Sequence, residues 1–280
     1  MDFKKNDVEA MEDGSIFAAM INGAIRTSEQ EEMARLIRRK SKVVIAYGSC
    51  AHMGGIPSLA NEFTREQIME YMYQEAPSVV NPEKTRPMLS FKHNSQNVTL
   101  PEIRNLVRTL DQVIDVDYYL PGCPPTPKLL KQAVLTLLSG EFPPKGTVLS
   151  PDEGLCKDCT RKESNPSDIS FTHFSTPHEI LIDKTKCLLS QGVVCMGPST
   201  RAGCEALCIS GNMPCSGCFG PTSRVRDQGA KMLSSLCSNI SENDEAGIDK
   251  ILDGIPDPVG TFYRYGLATS LLRKKITEDV

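Results

Sequence analysis

Tryptophan is absent from this 280-residue chain, and aromatic residues make up only 6% of it. No apolar run approaches the length of a membrane span. The N-terminus, MDFKKNDVEAMEDG, has no hydrophobic signal region and no twin-arginine pair, which predicts a cytoplasmic location. The net charge of −4 gives no electrostatic case for binding nucleic acid. The basic runs Arg38-Arg39-Lys40 and Arg273-Lys274-Lys275 each fall where a helix is expected to end, so dipole compensation explains them. Gly-x-Gly-x-x-Gly does not occur, and no Ser-His-Asp grouping, phosphate loop or carboxylate pair stands out. These absences exclude the common sites of substrate chemistry.

Cysteine is what the chain has in excess. Eight of its eleven cysteines lie between Cys156 and Cys218, as Cys156-x-x-Cys159, Cys187, Cys195, Cys204, Cys208 and Cys215-x-x-Cys218. An odd total in a chain with no export signal argues against a disulfide framework. Eight thiolates suffice for two four-ligand metal centres, and Gly197, Pro198, Pro214 and Gly217 supply the turns such centres need. The two Cys-x-x-Cys pairs stand 56 residues apart (159 to 215), beyond the separation of roughly 15–20 residues in zinc ribbons. Four single cysteines lie between them, so iron–sulfur centres are favoured over a zinc-stabilised interaction module.

The fold class expected is α/β, with a parallel-sheet domain over 1–145 and an irregular, mostly helical domain over 146–280. Ile16–Gly23 reads as a buried strand, 28–40 as a helix capped by Thr27 or Ser28, and 42–47 as a strand. A helix is expected at 101–110, a strand at 116–120, a helix at 126–138 and a linker at 145–151. Residues 222–280 return to helical patterns with a break at 254–258. Cys50 and Cys123 each follow a strand in a Gly/Pro turn, the edge where open α/β sheets bind ligands. Taken alone, either could be a small buried hydrophobe. Cys237 reads as a non-ligand and His52 as a partly exposed turn residue.

The segments GSCAHMGGIPSLAN, PGCPPTP, CMGPSTRAGCEALC, NMPCSGCFGP and IPDPVGTFYRYGL together resemble the small subunit of [NiFe] hydrogenases. The nearest likeness is to the cytoplasmic group that includes the F420-non-reducing hydrogenases of methanogens; F420-reducing and sulfhydrogenase small subunits are the alternatives. The resemblance implies a flavodoxin-like domain followed by an iron–sulfur domain. It implies a distal [4Fe–4S] cluster on Cys156, Cys159, Cys187 and Cys195, and a medial one on Cys204, Cys208, Cys215 and Cys218. Cys208 makes the medial cluster a full cubane. Amides around Gly197–Thr200 and Gly217 are expected to bond cluster sulfur. Cys50 and Cys123 match the later two ligands of a proximal cluster, whose first two come from a CxGC motif that this chain lacks upstream of Cys50. About fifty residues of the family's first domain, one βαβ unit and its lead-in, are thus expected to be missing, which makes the chain a truncated or fragmentary form or one half of a split subunit. The implied partners are a large subunit with the Ni–Fe centre and an iron–sulfur acceptor such as heterodisulfide reductase.

Overall fold

The structure, a computed structural model, describes residues 3–273; Lys274 and Lys275 of the C-terminal basic run lie outside the described residues. A short helix α1 (Lys5–Glu9) precedes β1 (Ile16–Asn22), β2 (Ile25–Thr27) and α2 (Ser28–Lys40). Helix α2 begins in a capping box: Thr27 Oγ1 accepts the Gln30 N–H at 3.2 Å, and Gln30 Oε1 accepts the Thr27 N–H at 3.0 Å. Glu29 and Glu31 occupy its first turn and Arg38, Arg39 and Lys40 its last, complementing the dipole at both ends. Strand β3 (Ser41–Tyr47) runs straight into α3 (Gly48–Met53), and α4 (Arg65–Glu70) follows. A solvent-exposed hairpin of β4 (Ser90–His93) and β5 (Gln96–Thr99) leads to β6 (Ile103–Arg108). Then come β7 (Tyr118–Leu120), α5 (Pro127–Ser139) and β8 (Thr147–Val148), with α6 (Leu207–Ser210), α7 (Gln228–Cys237), α8 (Glu245–Leu252) and α9 (Pro258–Phe262) beyond the start of the cysteine-rich stretch.

The main sheet has the order β1-β3-β7-β8, all parallel. It is covered on both faces, as parallel sheets must be. Val44 and Ala46 of β3 pack on the α2 side with Ala34, Leu110 and Ile114. Ile45 points to the opposite face, where Leu129, Ala133 and Leu137 of α5 meet it. The β1 strand is an edge strand, half-buried along its length with Phe17 53% exposed, rather than the buried strand its apolar run suggests.

Two further segments depart from the sequence expectation. Residues 103–108 form a strand instead of a helix. Leu106, Val107 and Leu110 suit a helical stripe, but the run pairs antiparallel with β2. Asn61 clamps the Val107 backbone on both sides, accepting its N–H at 2.8 Å and donating to its carbonyl at 2.9 Å. The expected linker at 145–151 contributes β8 to the sheet through Thr147 and Val148.

The cysteine-rich stretch has its own buried cluster, in which Leu155, Phe171, Phe174, Val193 and Met196 pack with Met232 and Leu236 of α7 and Phe262 of α9. Phe219, 1% exposed, crosses over and packs with Ile45, Leu120, Leu129 and Leu137 under the sheet. Replacing Phe219 by Ala removes this pin and is expected to cost about 3–5 kcal/mol of stability, read from urea unfolding.

Glu31 accepts from Arg35 (2.8 Å), Arg108 (2.9 Å) and Arg104 (3.3 Å), tying α2 to β6. The Arg35 hydrogen bond, with the Arg108 and Arg104 charges, holds its carboxyl down at about 2 despite partial desolvation. A depressed folded-state pKa means the stabilisation is complete above the unfolded value of about 4.3 and is lost as pH falls toward 2. Glu31→Gln is therefore expected to flatten the fall in Tm between pH 4.5 and 2 while lowering Tm at neutral pH.

Candidate metal centres

The carboxyl ends of β3 and β7 carry the first pair of thiols. Cys50 sits on α3, immediately after β3, in a helix where the sequence suggests a turn. Cys123 follows β7 and is exposed. The two segments are stitched together by the Ser49 N–H donating to the Gly122 carbonyl at 2.8 Å. Burial raises the Cys50 pKa, and the neighbouring Cys123 raises it further. Gly55, at φ +59°, passes so close that a Cβ there would stand 2.5 Å from Cys50 Sγ. The His52 ring lies tilted against Tyr119 with centroids 4.7 Å apart, and desolvation lowers its pKa to about 4.

Cys156, Cys159, Cys187 and Cys195 form a second group. The Cys156 pKa is pushed to about 12 by burial, then by the proximity of Cys195, Cys159 and Cys187. Cys195 is buried, and its sulfur accepts backbone N–H groups from Gly197 and from Cys215, the latter at 3.3 Å. A Cβ on Gly197 would lie 3.4 Å from Cys156 Sγ and 3.6 Å from Cys195 Sγ. Cys159 Sγ accepts the Arg161 N–H at 3.4 Å. Arg161 itself was not legible as a site residue. It is buried, and its guanidinium donates to the Ile209 carbonyl at 3.0 Å and Asn212 Oδ1 at 2.7 Å, fastening this group to the next.

Cys204, Cys208, Cys215 and Cys218 line a single cavity of about 250 Å³, and Cys123 reaches its rim. Cys218 is raised to about 12 by burial, with Cys204, Cys208 and Cys123 adding to the shift, and its sulfur accepts the Cys123 N–H. Glu205 and Ala206 adopt left-handed backbone (φ 55° and 52°), which turns the Ala206 and Leu207 N–H groups onto Cys204 Sγ. The Gly217 N–H is directed at Cys215 Sγ. Thr200 differs from the expectation of amide donors: its N–H is used in a turn to the Gly197 carbonyl, while its hydroxyl lies 3.6 Å from Cys215 Sγ. Cys237, exposed at the end of α7, belongs to none of these groups.

Among the described residues, no three His, Cys, Asp or Glu side chains converge as a single metal ion requires. A mononuclear zinc needs four sulfurs about 2.3 Å from one point. Here four cysteines line one cavity of about 250 Å³ instead. Burial, with neighbouring sulfur, raises the pKa of Cys156, Cys195 and Cys218, so ligation there is favoured by a positively charged group, while the inward N–H groups suit one that spreads negative charge over sulfur.

Residues 3–137 match the family described as NADH ubiquinone oxidoreductase, 20 Kd subunit. The iron–sulfur subunit of the F420-non-reducing hydrogenase of Archaeoglobus profundus is 36% identical over 98% of this chain and 86% of its own length. The chain belongs to the [NiFe] hydrogenase small-subunit family. A subunit of the F420-non-reducing hydrogenase of Methanothermobacter thermautotrophicus is 35% identical over 100% of this chain and 85% of its own. A chain from the solved NAD+-reducing [NiFe]-hydrogenase in the H2-reduced state gives a TM-score of 0.40, with 29% identity over 47% of this chain and 71% of that one. Membership of the small-subunit family implies iron–sulfur clusters, and the buried thiols and aimed amides fit them. Cys208→Ala is expected to lower the iron content of anaerobically purified protein by up to roughly four per chain, whereas Cys237→Ala leaves it unchanged.

Proposed function

We propose that this chain is the electron-relay subunit of a cytoplasmic [NiFe] hydrogenase, carrying electrons from H2 oxidation in a large subunit to an iron–sulfur acceptor. The observation that carries this reading is the linkage of neighbouring cysteine groups by backbone hydrogen bonds to sulfur. The Cys123 N–H donates to Cys218 Sγ, and the Cys215 N–H donates to Cys195 Sγ at 3.3 Å. Each bond starts on a cysteine of one group and ends on a sulfur of the next, giving a row of three sites with a covalent and hydrogen-bonded route along it.

A [4Fe–4S] cluster, when bound, takes up and gives off one electron at a time. Cys204, Cys208, Cys215 and Cys218 hold the medial cluster, and Cys156, Cys159, Cys187 and Cys195 the distal one. Cys50 and Cys123 are two ligands of a proximal site at the sheet edge. Gly197 and Gly217 aim amides at ligand sulfur, and Thr200 adds its hydroxyl. The surface around Cys50, His52 and Cys123 receives the large subunit, because the electron enters there. Cys156 exposes part of its residue surface although its sulfur is desolvated, and Cys159 is half-buried, which puts the other end within reach of an acceptor such as a heterodisulfide reductase complex. Among the described residues no helix is long and apolar enough to cross a membrane.

Anaerobic co-expression with a hydrogenase large subunit tests the proposal. The expected result is a brown complex in which H2 reduces EPR-active clusters, with iron and inorganic sulfide each at about eight per chain for the two complete sites. A colourless chain carrying stoichiometric zinc would sink it.

A further inference from the structure

Cys215 belongs to the cavity it shares with Cys204, Cys208 and Cys218, yet it also touches the neighbouring group. Its N–H donates to Cys195 Sγ at 3.3 Å, and its carbonyl accepts the Met196 N–H at 2.8 Å. Cys215 thus stands at the junction of two groups, its sulfur in one and its backbone N–H on the other. Thr200 Oγ1 lies 3.6 Å from its sulfur, and Thr200 is 1% exposed.

The Thr200 hydroxyl has one proton and three neighbours. Gln228 Nε2 donates into its oxygen at 3.0 Å and the Cys215 thiol does so at 3.6 Å, while its own proton goes to the Met196 carbonyl at 2.6 Å. The Met196 carbonyl has other donors, the Ser199 N–H at 3.1 Å and the Ser199 hydroxyl at 3.3 Å. The thiol proton of Cys215 is lost on ligation, and the sulfur then becomes the stronger acceptor for the hydroxyl. Gln228 is itself fixed: its Nε2 also donates to the Gly217 carbonyl at 3.1 Å, and it opens α7 directly after the capping residue Asp227. A Cβ on Gly217 would come within 3.1 Å of that same Nε2, so the close approach depends on glycine at φ +97°.

We propose that Thr200, positioned by Gln228, sets the reduction potential of the cluster held by Cys204, Cys208, Cys215 and Cys218, through an O–H···S bond to Cys215. The proposal rests on the relay reading above. Reduction adds negative charge that is shared with the ligand sulfurs, so a donor to Cys215 stabilises the reduced form and raises the potential. The donors identified at Cys195 are backbone amides, which a side-chain change leaves in place. The effect is thus confined to one of the two complete sites, on the side from which the electron arrives.

EPR-monitored redox titration of the full chain, purified with its clusters, tests this. Cys208→Ala identifies which signal belongs to the cavity. Thr200→Val is expected to move that signal to lower potential and leave the other in place, and Thr200→Ser to return it toward the wild-type value. Gln228→Leu, which keeps the hydroxyl, shifts the same signal in the same direction and carries the test if Thr200→Val does not hold its clusters. A Thr200→Val or Gln228→Leu protein that retains both signals at wild-type potentials overturns the proposal, as does a Thr200→Ser shift equal to that of valine. Wild-type protein without two distinguishable clusters overturns the relay reading itself.

Discussion

Crowding thiols in a buried place is the constraint around which this molecule is arranged. Cys156 and Cys218 are each driven to about 12 by burial together with neighbouring sulfur, so neither group can ionise fully without an added positive charge. Iron held by these cysteines would supply that charge, with backbone N–H groups donating to the sulfurs. Regular helices and strands spend their N–H groups internally. The chain from 150 to 221 is accordingly built of short turns, left-handed residues at Glu205 and Ala206, and glycines at sulfur-facing positions. Its irregularity follows from where the donors have to point.

Such a segment needs an external frame, and the parallel sheet provides one. Phe219, next to Cys218, is driven into the core beneath β3 and β7, while the Ser49 hydroxyl donates to the Cys218 carbonyl at 2.6 Å. Arg201, 5% exposed, pairs with Asp152 at 2.9 Å and donates to the Pro221 carbonyl at 3.2 Å, binding the entry of the cysteine-rich stretch to its exit. These contacts bring Cys123, at the sheet edge, up against the cavity of the later cysteines. The apolar packing and the thiol cavity are therefore not separable: the residue that pins the two regions together is one position from Cys218.

Much of this was legible beforehand. Helix α2 carries its start and stop signals in Thr27, Gln30 and the terminal basic residues, and α5 carries Thr126 followed by Pro127. Both are local devices, and local devices survive in sequence. Residues 103–108 were not legible as a strand because their apolar spacing suits a helix, and only β2 and Asn61, distant in sequence, decide the outcome. Strand β8 was hidden for a similar reason, since two residues bear no period. Arg161 and Gln228 gave no signal, because a polar residue that reaches a carbonyl or a hydroxyl far along the chain has no motif.

Residue chemistry and spacing by themselves determined that eight cysteines crowd into one stretch among turns suited to metal centres, that the first half is α/β, and that two thiols follow strands. Those features depend on residue type and near neighbours alone. Tertiary structure decided which sulfur lies beside which, that Cys123 reaches the later cavity, that Cys215 joins two sites, and that Thr200 contributes a hydroxyl rather than an amide. Each of these is a hydrogen bond or a packing contact between segments far apart in the chain, made only when the sheet and the cysteine-rich stretch close on one another.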